Sequence, residues 1–263
     1  MSLVQGPTWP GLAWATLPML GAMAVLAWRG LGQVRPLAVG SIRLLIQMSL
    51  LGLVLGSIFS ADSPWLVLLV ALIMLAASAS TVSSRQRANS RTLRLEGFAA
   101  MLIGATLVMV VATRLALGVT PWYDPRTVIP MLGMILGNSV NGVALAAERL
   151  ESELRGERDR VEWRLTLGAT SRQAATPALR AAVRSALTPT INGMMIAGIV
   201  SIPGMMTGQL LAGASVDQAL RYQILLYFLI AGTVAISTLV MLALRLRHYF
   251  TPADQLRPEA FEP

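Results

Sequence analysis

A helix needs about 20 apolar residues to cross a hydrocarbon core of ~30 Å, and runs of that length recur along nearly the whole of this chain. About seven fit the hydropathy, at roughly Gly11–Trp28, Leu37–Phe59, Pro64–Val82, Gly97–Val119, Val128–Ala147, Ala186–Ile202 and Tyr222–Leu244. Of the 263 residues, 55% are apolar and only 13% charged, against about 25% charged in a soluble domain. So few charges cannot wet the surface of a soluble globule. The expected fold is all-α, a polytopic transmembrane helical bundle forming a single domain over 1–263, in a cell (inner or plasma) membrane.

The charges that remain fix the expected orientation. After spans one, three, five and seven come Arg29, Arg35 and Arg43; Arg85, Arg87, Arg91 and Arg94; a run from Arg149 to Arg184; and Arg245, Arg247 and Arg257. The alternate loops hold little beyond Arg114, Arg126 and Arg221. Basic loops resist translocation, so the N-terminus is expected outside and the C-terminus inside. The same rule reads the net charge of +8 as a membrane signal, with no nucleic-acid partner. No basic segment precedes the first span, which argues against a cleavable signal peptide. Ser60–Ser63, with Asp62, is expected as a tight external turn. Thr120–Thr127 carries two prolines and two aromatics suited to the interface. The polar tail, about 251–263, is expected to be disordered.

Glu148–Arg184 is the one large polar stretch expected inside. Its first half pairs charges at helical spacing, as in Glu151–Arg155, Arg155–Asp159 and Arg158–Glu162, with a thin stripe of Leu150, Leu154, Val161 and Leu165. Gly168 then terminates the helix. Thr170-Ser171-Arg172-Gln173 has the pattern of a capping box that starts a new, short helix, before the chain returns at Pro177. A short helix held off the bilayer by a sharp turn makes a docking knob.

At these residues the chain resembles the permease subunits of ABC transporters. Their cytoplasmic loop carries Glu-Ala-Ala, three residues, Gly, and a coupling helix that docks on the ATPase. Glu162-Trp163-Arg164, Leu165-Thr166-Leu167 and Gly168-Ala169-Thr170 fall in that register, with Trp163 and Arg164 in place of the alanines and no Leu-Pro pair following. A closer resemblance, over nearly the whole chain, is to the FetB-type permeases, bacterial iron exporters related to plant aluminium-tolerance permeases. It rests on Ile129-Pro130-Met131, Gly133 to Asn138, Leu167-Gly168-Ala169-Thr170, Ser201 to Gly208 and Tyr222-Gln223-Ile224. The resemblance implies a homodimeric permease exporting a metal ion or chelate, iron first, powered by a separate cytoplasmic ATPase that docks on the 157–180 loop. ATP and Mg would sit on that partner, with no cofactor on this chain. The implied coupling residues are Glu162, Leu167, Gly168, Ala169, Thr170, Ser171 and Gln173.

Inside the spans, the polar groups are amides, hydroxyls and thioethers. Gly133 and Gly137 form a small-xxx-small pair suited to close helix contact. Asn138 and Asn141, three apart on one face, must point into protein or a wet cavity. They either hydrogen-bond between helices or line a substrate path with Asn192 and Ser201. Pro203-Gly204 suggests a broken helix followed by a re-entrant piece, about Met205–Ala214. Met205 and Met206 are either adaptable packing or a weak, soft metal ligand pair.

Other classes lack their parts. All 21 basic residues are Arg, His248 is the single His and Cys is absent. These counts exclude a Walker loop, a Cys/His zinc site and Schiff-base chemistry. Membrane enzymes need paired carboxylates or a Ser with a base, and Asp62 and Asp124 stand alone, so no enzyme is expected. The alternative is an ion-gradient-coupled secondary transporter of a small solute or metal, which needs a buried titratable relay; no Asp, Glu or His falls mid-span.

Overall fold

A computed structural model describes residues 8–60, 63–84 and 91–257. Asp62, Arg85, Arg87 and the tail beyond Arg257, on which part of the sequence reading rests, lie outside the described residues. The helices are α1 (Trp9–Trp28), α2 (Val34–Ser60), α3 (Pro64–Ser84), α4 (Arg91–Val110), α5 (Pro125–Gly156), α6 (Arg158–Thr166), α7 (Ser171–Ala174), α8 (Thr176–Ile196), α9 (Gly204–Leu211) and α10 (Val216–Tyr249). Among the described residues there is no strand, only two isolated bridges, Ala197 with Ser201 and Phe250 with Leu256.

Packing divides the chain, expected as one 1–263 domain, into two compact units, Met1–Ala61 and Asp62–Pro263. The first is a helical hairpin. Thr8 caps α1 by accepting from the Gly11 amide, and Pro10 occupies the first turn, where no amide is needed. The reversal at Gly30 and Gly32 uses two left-handed residues, φ 65° and 71°. Ser41 of α2 donates to the Met19 sulfur of α1 at 3.2 Å. Leu45, Leu53 and Trp14 are largely exposed, as suits helices solvated by lipid.

The second unit is built around α5 and α10. Asp124 begins α5 by accepting from the Thr127 amide and hydroxyl at 3.1 and 2.5 Å, with Pro125 at the first helical position. Ser215 caps α10 in the same way. On α4 the buried face runs Leu93, Gly97, Ala100, Met101, Gly104, Ala105 and Val108, the 3–4 spacing of one helical face. It meets Leu136 and Val143 of α5 and Met241 of α10 in a shared apolar core.

Two glycines set the closest helix crossings. A Cβ on Gly104 would collide with Ser237 Oγ and lie 3.2 Å from the Ser237 amide nitrogen of α10. A Cβ on Gly142 would lie 2.6 Å from Val234 Cγ1 and 3.4 Å from the Ala186 carbonyl oxygen. The pair singled out in the sequence behaves differently. Gly133 faces the Met74 methyl, and Gly137 has nothing within 4 Å.

Among the described residues, six helices are long and apolar enough to cross a membrane: α1, α2, α3, α4 with its continuation to Ala116, α5 and α10. That continuation, Val111–Ala116, is a π-type turn. Of the expected sixth crossing, Ala186–Ile202, only Ala186–Ile196 is helical, as the second half of α8, which starts earlier at Thr176. The break expected near Pro203-Gly204 is present as the turn 197–203 followed by the short α9. At 32 residues, α5 is ~48 Å long and outreaches a ~30 Å core. Its last turns, the stalk, bury Ala146, Leu150 and Leu154 in an apolar cluster with the elements that follow.

Candidate functional site

The stalk leads into a hairpin whose local geometry follows from its sequence. Along α5 and α6, Arg149–Glu153 at 2.5 Å, Arg155–Glu151 at 3.4 Å and Arg158–Glu162 at 2.8 Å bridge successive turns. Their arginines are exposed, so solvent screening leaves each pair little net stability. The helix ends in a Schellman motif. Gly168 takes φ +89°, its amide donates to the Leu165 carbonyl at 2.9 Å, and the Ala169 amide donates to the Arg164 carbonyl at 3.1 Å. The capping box then forms as the sequence indicated. Thr170 Oγ1 accepts from the Gln173 amide at 3.3 Å, and Gln173 Oε1 accepts from the Thr170 amide at 2.9 Å. Arg164 Nη1 reaches across to the Ala174 carbonyl at 3.1 Å and ties α6 to α7.

One side of this hairpin is packed and the other is bare. Val161, Ala174 and Ala175 are buried with Leu150 and Leu154 of α5 and Phe250 after α10. Outward, Trp163 of α6 is 65% exposed and Leu167, the residue that caps its C-terminus, 67%. The hairpin thus brings Glu162, Leu167, Gly168, Ala169, Thr170, Ser171 and Gln173 together. Trp163, which the sequence reading treated as a departure from alanine, is the largest exposed side chain among them.

The C-terminal segment differs from its expected disorder over 251–257. The Arg257 amide donates to the Tyr249 carbonyl at 2.9 Å, and the Thr251 amide to the Gln255 carbonyl at 2.8 Å. Asp254 Oδ1 accepts from the Ser171 amide at 2.8 Å. These bonds from Ser171 hold the Asp254 carboxyl below the ordinary carboxylate range. A cleft of about 620 Å³ runs between this segment and the α6–α7 turn, lined by Glu162, Gly168, Thr170 and Gln255 among others.

The membrane-region candidates are spread over α5, α8, the turn after it and α9. Asn138 is exposed, and its amide donates to the Met134 carbonyl of its own helix at 2.8 Å. No bond from Asn138 to another helix appears among the described residues. Asn141 on α5 and Asn192 on α8 are likewise exposed. Ser201 sits in the turn after α8, where its carbonyl accepts from the Gly198 amide at 2.9 Å. Met205 packs on an apolar cluster with Met131, Ile135 and Leu226, and Met206 is half-buried. Among the described residues no three His, Cys, Asp or Glu side chains gather as a metal site.

A buried charge network was missed in the sequence. Arg245 of α10 is 3% exposed. It donates to Glu96 of α4 at 3.4 Å and to the Tyr249 hydroxyl at 2.6 Å. Tyr249 in turn donates to Glu151 of α5 at 3.4 Å. Three helices are joined at the end of the bundle that carries the stalk. The signal was present in the spacing, since Glu96 falls three after Leu93 and four before Ala100 on the buried face of α4.

The profile of the uncharacterised protein family UPF0014 matches residues 9–250. The chain is 41% identical to the UPF0014 membrane protein slr1647 of Synechocystis sp., over 94% of this chain and 96% of that one. It is 33% identical to the probable iron export permease protein FetB of Escherichia coli, over 81% of each. To the protein ALUMINUM SENSITIVE 3 of Arabidopsis thaliana it is 30% identical, over 83% of this chain and 79% of that one. No solved structure matches the chain significantly.

Proposed function

Since this chain belongs to the UPF0014 family and is a multi-pass membrane protein, we propose that it is the membrane-spanning permease subunit of an ABC-type exporter. Its cargo is a metal ion or chelate, iron first, by its likeness to a relative named as a probable iron export permease. A separate ATPase, carrying ATP and Mg, docks on the 157–180 hairpin at the cytoplasmic face. The observation that supports this reading is the hairpin itself. It is fixed by the Schellman turn, the capping box and the Arg164 cross-tie, and it presents Trp163 and Leu167 to a partner. An exposed aromatic on a rigid support is the kind of anchor that interfaces use.

The active unit in this reading is a homodimer. Asn138 and Asn192 are exposed on apolar helices, and amides facing hydrocarbon cost several kcal/mol unless protein or water covers them. A second copy would cover them and enclose a wet path, which suits cargo that must bind weakly enough to leave. The ion-gradient alternative gains nothing from Glu96, which is engaged by Arg245.

Co-purification of the tagged chain should return a soluble ATPase whose hydrolysis it stimulates. Gly168→Pro should abolish the stimulation, because proline can neither take φ +89° nor donate to Leu165. Cells lacking the protein should accumulate iron under iron load. Transport by the chain alone, driven by an ion gradient, would overturn the proposal.

A further inference from the structure

The stalk and α8 are the obvious arms through which a docked partner could move the bundle, since the hairpin joins them covalently. The segment after α10 adds a third connection. Phe250 is 4% exposed and pairs with Leu256 across a tight reversal. Leu256 packs on the same apolar cluster as Ala169, Ala174 and Ala175. Gln255 donates to Thr251 Oγ1 at 3.1 Å, closing the reversal on itself. At its tip Asp254 takes φ 56°, a left-handed conformation in which Asp and Asn are the tolerated non-glycine residues. That turn aims the Asp254 carboxylate at the Ser171 amide, 83 residues away in sequence.

The geometry points to residues 250–257 as a strap that fixes the coupling hairpin against α10 in its docking orientation, with Asp254 as the latch and a positioning residue. The inference rests on the docking reading above and extends it: the pose offered to the ATPase depends on α10 as well as on α5 and α8. A merely local cap does not require this, because the capping box already satisfies the Thr170 and Gln173 amides. What Asp254 adds is a bond between two distant parts of the chain. Its lowered pKa is what a carboxylate accepting from an amide should show.

The test compares two full-length variants in lipid nanodiscs. Asp254→Gly keeps the left-handed backbone and removes the acceptor; Asp254→Asn keeps both a side-chain oxygen and the conformation. Amide hydrogen exchange is read over residues 168–175, and stimulation of the co-purified ATPase is titrated in parallel. Losing a charge-assisted bond should speed exchange at Ser171 by about tenfold in Asp254→Gly. The same variant should need severalfold more permease for half-maximal stimulation, at an unchanged melting midpoint, with Asp254→Asn close to wild type. Unchanged exchange over 168–175 in Asp254→Gly overturns the strap, as does faster exchange with wild-type docking. If the wild-type chain recruits no ATPase at all, the transporter reading falls, while exchange still decides whether the latch exists.

Discussion

Replacing Arg245 with methionine should destabilise the bundle far more than replacing both Arg245 and Glu96 together. The two side chains are 4% and 12% exposed, so Arg245→Met leaves the Glu96 carboxylate desolvated and without its counter-charge. It also removes the 2.6 Å bond to Tyr249. Breaking a buried pair from one side costs about 3–5 kcal/mol. The 3.4 Å separation of Arg245 and Glu96, longer than a tight ion pair, places the expectation near the lower end, at about 3 kcal/mol. In the double variant Arg245→Met/Glu96→Leu no charge is stranded, and a well-packed apolar replacement is often neutral. That variant should lie within about 1 kcal/mol of wild type, giving a coupling energy of about 2 kcal/mol or more. Reversible unfolding in mixed micelles, followed by far-UV circular dichroism for all four members of the cycle, measures this. If Arg245→Met costs under about 1 kcal/mol, or the double variant costs the sum of the singles, the network does not hold α4 to α10.

Gly104→Val should cost about 1–3 kcal/mol by overpacking, because the added group meets Ser237 backbone as well as its hydroxyl; Gly137→Ala, with open space around it, should be near neutral in the same unfolding assay. Trp163→Ala/Leu167→Ala should leave the melting midpoint unchanged and weaken ATPase capture by about tenfold or more, read by co-purification against wild type; undiminished capture would mean that the partner grips elsewhere. The Asp254 carboxyl has its folded pKa depressed, so its contribution to holding the strap is complete above the unfolded value of about 3.9. The charge-assisted part of it is lost as pH falls through the lower folded value. The Ser171 amide resonance should therefore titrate below the ordinary aspartate range, and a midpoint at or above it would contradict the bond.

What could be read in the sequence was what lies close along the chain. The Gly168 turn and the Thr170–Gln173 box are decided within four residues, and both took the expected form. Apolar runs fixed the helices for the same reason. The failures are contacts between distant segments. Gly133 and Gly137 matched a packing pattern, yet the close crossings fell at Gly104 and Gly142, where residues 237 and 234 of α10 happen to face them. A polar tail suggested disorder, but Phe250 and Leu256 supply the burial that composition averages away. Glu96 and Arg245 each stood at the margin of an apolar run. Only the pairing of α4 with α10, 149 residues apart at that point, makes them a buried pair.

The unbroken course of α5 from its Asp124 cap to Gly156 has a mechanical consequence. A bar ~48 Å long that pivots about one end by about 5° swings its other end through about 4 Å. That is wider than a water molecule. A modest rocking imposed at one end would thus reach the other as a shift of side-chain size, without melting a single turn.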